Sequence, residues 1–79
     1  MRDPQIREWI EQGKRYFQNR HYGRAEPIFQ KVLRSGHRYA DVLNMLGVIH
    51  HQNGKFNEAV DCFEDALKIN PGYVEANMN

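Results

Sequence analysis

The chain has 79 residues, 41% of them apolar and 27% charged, with a formal net charge of +1. This composition argues against disorder and allows one small domain with a marginal core, since domains near 60 residues bury only about 60% of the surface their unfolded chains expose. No apolar run approaches the roughly 20 residues of a membrane span, Met1 to Glu11 lacks the apolar stretch of an export signal, and the single cysteine, Cys62, excludes an internal disulfide. The expectation is a cytoplasmic protein with no membrane contact.

Asp3-Pro4 is a helix start, because Asp accepts an orphan backbone N–H and Pro suits the first helical position. From there Ile6, Trp9, Ile10, Gly13, Tyr16 and Phe17 recur at helical spacing, which predicts a helix from about 4 to 18. Asn19-Arg20-His21 reads as a turn. A second helix is expected over about 24–35, burying Ala25, Ile28, Phe29, Val32 and Leu33, with Pro27 removing one N–H and Ser35-Gly36 ending it. The third, about 39–53, is expected to bury Leu43, Leu46, Gly47 and His50 and to close at Gln52-Asn53-Gly54. Asn57 is a candidate cap for the fourth helix, whose apolar stripe is Ala59, Val60, Phe63, Ala66, Leu67 and Ile69, and Asn70-Pro71-Gly72 stops it. Tyr73 to Asn79 reads as the opening of a fifth helix cut short.

Residues 6–39 and 40–73 are two copies of one 34-residue pattern, in which Gly13 and Gly47, Ala25 and Ala59, Phe29 and Phe63, Leu33 and Leu67, and Tyr39 and Tyr73 recur at the same offset. A fixed period of this length marks stacked supersecondary units, none of which buries its apolar face alone. Small residues at 13, 25, 47 and 59 suit a close approach of two helices, and large Phe29 and Phe63 fill the space where those helices diverge. The expected fold is all-α: tandem antiparallel helix hairpins in a single domain, four helices and a short truncated fifth at 74–79.

The second copy reads Leu43, Leu46-Gly47, His50, Ala59, Phe63, Ala66 and Pro71. That spacing resembles the tetratricopeptide repeat, W-x-x-L-G-x-x-Y, then A-x-x-x-F, then P, with Leu43 in place of the Trp and His50 in place of the Tyr. The first copy is similar in Trp9, Gly13, Tyr16, Ala25 and Phe29, and departs at Gln12, Val32 and His37. The resemblance implies an α-solenoid that acts as a non-enzymatic protein–protein interaction module. In such modules the first helix of each pair lines a concave groove that binds an extended peptide or a partner's helix. Carried onto this chain, the groove positions are Arg7, Ile10, Lys14, Phe17 and Gln18, then Asp41, Asn44, Val48, His51 and Gln52, with Glu75 and Met78 beginning a third set. Family members that grip a C-terminal carboxylate use a Lys, Arg and Asn cluster, whose places here hold Ile10, Lys14, Met45, Glu75 and Asn79, so the resemblance does not extend to that ligand.

Charge is unevenly distributed: residues 1–39 hold nine Lys and Arg against four Asp and Glu, net +5, and residues 40–79 hold two against six, net −4. Either these are two solvated faces, or the basic half attracts an acidic partner, or the basic start of one molecule meets the acidic end of another. A second route to self-association is an apolar face of Val60, Phe63 and Leu67, which Val74, Ala76 and Met78 are too few to cover. Either the chain is then a piece of a longer array, or the open face is closed by another copy or by a partner. Basic and aromatic residues mix in the first half (Arg15, Arg20, Arg24, Lys31, Arg34 and Arg38 among Tyr16, Phe17, Tyr22 and Tyr39), a pattern compatible with nucleic acid, but the acidic second half opposes a phosphate backbone.

Nothing in the sequence points to catalysis, a cofactor or a metal. His50 and His51 are adjacent and so cannot form an i, i+4 ligand pair, and His21 and His37 lie near turns. Cys62 sits among Glu58, Asp61 and Asp65, neighbours that disfavour a thiolate. No phosphate-binding glycine loop or nucleophile elbow is present.

Overall fold

A computed structural model describes residues 4–71. Among them lie four helices and no strand: α1 (Pro4–Gln18), α2 (Tyr22–Arg34), α3 (Ala40–Gln52) and α4 (Phe56–Ile69). The chain divides into two compact units, Met1–Arg38 and Tyr39–Asn79, in which α1 packs on α2 and α3 on α4. The all-helical hairpin architecture is the one the pattern predicts. The expected fifth segment, with Val74, Glu75, Met78 and Asn79, and the Asp3 cap lie outside the described residues.

Both hairpins turn by the same device. At the end of α1 the Arg20 N–H donates to the Phe17 carbonyl at 3.0 Å and the His21 N–H to the Tyr16 carbonyl at 2.8 Å. At the end of α3 the Gly54 N–H donates to the His51 carbonyl at 3.1 Å and the Lys55 N–H to the His50 carbonyl at 2.8 Å. This paired 5→2 and 6→1 closure is a Schellman motif, which needs one residue in the left-handed region. Gly54 takes it at φ 78° without steric cost, whereas Arg20 takes it at φ 63° with a Cβ in the way. Arg20→Gly is therefore expected to stabilise the first hairpin by about 0.5–1 kcal/mol, raising Tm by roughly 4 °C in a thermal melt followed by circular dichroism. The equivalent reversal, Gly54→Arg, is expected to lower Tm by a similar amount.

The closure also sets where the second helices begin. The residue that completes each motif, His21 or Lys55, is itself the N-terminal boundary residue of the next helix, and neither makes a side-chain cap. Asn57 accordingly lies inside α4, second in the helix, rather than capping it. α2 likewise starts at Tyr22, before the expected position, and runs unbroken through Pro27. The N–H that proline lacks would have bonded the carbonyl of Gly23, an exposed residue whose carbonyl water can reach. Gly36, at φ 94°, ends α2 as expected, its N–H donating to the Leu33 carbonyl at 3.1 Å.

The first hairpin buries Ile6, Gly13, Ala25, Phe29 and Val32, and the second buries Leu43, Leu46, Gly47, His50, Ala59 and Ala66. Ile28 and Leu33 are half-buried. Of the expected α4 stripe, Val60 is 50% exposed, on the face that the sequence leaves uncovered, and Ile69, at the end of the helix, is 46% exposed. Val42, Met45 and Ile49 are buried in addition to the expected residues of α3, so that helix is enclosed around most of its circumference. Their counterparts in α1, namely Glu8, Glu11 and Arg15, are exposed.

Candidate protein-binding faces

On α1, Arg7, Ile10, Lys14 and Phe17 follow i, i+3, i+7, i+10 spacing and so share one helix face. Ile10, Lys14 and Phe17 are half-buried, while Arg7 and the adjacent Gln18 are exposed. On α3, Asp41, Asn44, Val48 and His51 repeat the spacing, with Asn44 and Val48 half-buried and Asp41, His51 and Gln52 exposed. Each helix thus carries an accessible stripe that mixes apolar stems with polar heads. The α1 stripe is cationic through Arg7 and Lys14, and the α3 stripe carries the carboxylate of Asp41. Met45, one of the carboxylate-cluster places, is buried and presents nothing to a ligand.

Each stripe ends on an aromatic contact with the following helix. The Phe17 ring lies 5.4 Å from Tyr22 at 52°, and the His51 ring 5.2 Å from Phe56 at 69°. Tilted and edge-on geometries of this kind are favoured by the ring quadrupoles. The two contacts are equivalent under the 34-residue offset, and Tyr22 and Phe56 are additions to the expected site residues. Their signal in the sequence was an aromatic five residues after each stripe's last member, across the turn.

The second face is on α4. Phe56, Val60, Phe63 and Leu67 follow i, i+4, i+7, i+11 spacing. Phe56 is 57% exposed, and Phe63 and Leu67 are half-buried. Phe29, the counterpart of Phe63, is fully buried at 0% exposure. Val74 and Met78, the other expected members of this face, lie outside the described residues.

The outer ridge of α2 carries Arg24, Lys31 and Arg34, with a shallow concavity lined by Glu26, Pro27, Gln30, Lys31 and Arg34. The Lys31 ammonium lies 5.4 Å above the Trp9 ring, a cation–π contact that ties α2 to α1. The matching ridge of α4 carries Glu58, Asp61 and Asp65, and Lys68 lies 3.9 Å from Asp65. His50 is buried and His21, His37 and His51 are exposed, and among the described residues no three His, Cys, Asp or Glu side chains are grouped to hold a metal ion. No described helix is long and apolar enough to cross a membrane.

Residues 40–73, the whole second copy, match the sequence model of the tetratricopeptide repeat. The chain carries a tetratricopeptide repeat. Buried Leu43, Leu46, Gly47, Ala59 and Ala66 and half-buried Phe63 are scaffold positions of that repeat, which leaves the α3 stripe and the exposed side of α4 as its accessible surfaces. Tetratricopeptide repeats act in general as protein–protein interaction modules. No solved structure gives a significant match to the chain.

Proposed function

We propose that the chain binds a peptide or a partner's helix through the accessible stripes of its first helices, α1 and α3. Ile10, Phe17 and Val48 supply apolar contact, and Arg7, Lys14, Gln18, Asp41, Asn44, His51 and Gln52 supply polar orientation. The observation that carries this reading is the recurrence, at one offset, of a half-buried mixed stripe ending on a fixed aromatic pair. Side chains already half-buried and anchored lose little rotamer freedom on binding, so the cost of ordering them is low.

The test is a peptide selected from a random display library on this chain, then titrated calorimetrically against variants. Lys14→Ala and Asn44→Ala are each expected to weaken the selected peptide by about tenfold, as truncation of a contributing interface residue does. Unchanged affinity in both variants would refute the assignment.

A second reading, self-assembly through Val60, Phe63 and Leu67, is supported by the contrast between half-buried Phe63 and fully buried Phe29. Apolar surface left in water at that place favours association with a second copy. Val60→Glu, at an exposed position, is expected to leave the fold intact and to abolish any such association in sedimentation velocity. Nucleic-acid binding by the basic first copy is the weakest reading, since of its aromatics only Tyr39 is exposed and the second copy, with two Lys and Arg against six Asp and Glu over residues 40–79, repels a phosphate backbone.

A further inference from the structure

The two second helices carry opposite charges at equivalent places. Arg24 corresponds to Glu58, Lys31 to Asp65 and Pro27 to Asp61 under the 34-residue offset. Arg24, Lys31 and Arg34 are exposed, as are Glu58 and Asp61, with Asp65 partly so. Arg34 corresponds to Lys68 and keeps its sign, so the reversal is confined to the Arg24 and Lys31 places, with Asp61 adding a carboxylate where α2 has Pro27.

We propose that these ridges are the two halves of a contact between copies of this chain, the basic α2 ridge of one molecule taking the acidic α4 ridge of another. Arg24 and Lys31 are seven residues apart, as are Glu58 and Asp65, which is about 10.5 Å along each helix. Two helices laid side by side in either direction therefore bring both cations opposite both carboxylates. Pro27 stands between Arg24 and Lys31 at the place where the acidic ridge has Asp61, and Glu26 beside it is the one carboxylate lining the shallow concavity.

The acidic ridge is also frustrated by itself. Glu58 and Asp61 are spaced i, i+3 and Asp61 and Asp65 i, i+4, spacings at which like charges repel, and Lys68 lies 3.9 Å from Asp65. A basic partner relieves this repulsion, and a complement of matching spacing is present on every molecule. Each contact uses one ridge from each copy, so assembly is heterologous and yields a closed ring or an open chain. The peptide-binding stripes lie on α1 and α3 and the apolar face of α4 uses Val60, Phe63 and Leu67, so this contact stands or falls apart from both.

Sedimentation velocity of the 79-residue chain over a concentration series tests it, at about 0.02 M and about 0.5 M sodium chloride, where the screening length falls from roughly 20 Å to about 4 Å. Species larger than a monomer are expected at low salt, with the association constant falling at least tenfold at high salt. The double variants Arg24→Glu with Arg34→Glu, and Glu58→Lys with Asp61→Lys, keep Lys31 on Trp9 and alter only exposed positions. Each is expected to be monomeric alone at low salt, and their equimolar mixture to associate within about threefold of the original affinity, since the opposite ridges are then on different molecules. A monomer at every concentration in low salt would overturn the proposal. So would association that ignores both double variants and is lost in Val60→Glu, which would place the contact on the apolar stripe instead.

Discussion

Phe29→Ala is expected to unfold the first hairpin. The Phe29 ring is fully buried, fills the space over Gly13 and joins Ile6, Ala25 and Val32 in the core of that unit. Truncating a buried Phe costs about 3–5 kcal/mol, from lost transfer energy and the cavity left behind. Small domains have total stabilities toward the lower end of about 5–15 kcal/mol, so this loss consumes most of the available margin. The expected measurement is loss of roughly half the helical circular dichroism signal at 25 °C, or a urea midpoint too low to define. Phe63→Ala at the equivalent place is expected to cost less, about 1–2 kcal/mol, because that ring is only partly buried where Phe29 is wholly so. Equal losses at the two positions would mean that Phe63 is covered in solution.

Gly13→Ala is expected to be the next most damaging change. A Cβ built there meets the Phe29 ring, with Cζ 2.8 Å away and Cε1 closer still. Because Phe29 is enclosed on all sides, its ring has nowhere to go, and overpacking of this kind costs about 1–3 kcal/mol. Alanine recovers up to about 1 kcal/mol of helix propensity over glycine, so the net destabilisation is about 2 kcal/mol if the clash costs its upper value. At Gly47 the new Cβ lies 2.5 Å from Phe63 Cε1, a comparable overlap, but that ring is only partly buried and is less confined than Phe29. Gly47→Ala is therefore expected to be near neutral, within about 1 kcal/mol. Urea titrations of the two variants check the asymmetry, and Phe29→Leu in the Gly13→Ala background is expected to recover part of the loss.

The helix pattern was legible because each hairpin keeps 3.6-residue periodicity and a small residue beneath a large one. The α3 turn was legible too, since Asn53-Gly54 advertises its left-handed residue. Its twin at Asn19-Arg20 performs the same closure with a residue that gives no such sign. The Asn57 cap was misread because a capping side chain is a generic signal, whereas here hydrogen bonds from the preceding turn fix the helix start. Burial of Val42, Met45 and Ile49 escaped a one-face reading because α3 has almost no polar side over residues 42–50 for a stripe to contrast with. Val60 and Ile69 show the converse, as periodicity assigns a face without saying whether anything lies against it. The candidate binding residues follow from the same periodicity, and only the cross-turn rings of Tyr22 and Phe56 needed coordinates to be recognised.

Trp9 is the only tryptophan of the chain, and it sits in the first hairpin beneath the Lys31 ammonium. Its indole emission is consequently a private optical channel for one unit, while far-ultraviolet dichroism registers all four helices. If the two hairpins melt together, the two signals trace one curve. If they separate, fluorescence dates the opening of the first, and the remaining dichroism belongs to the tetratricopeptide repeat that follows.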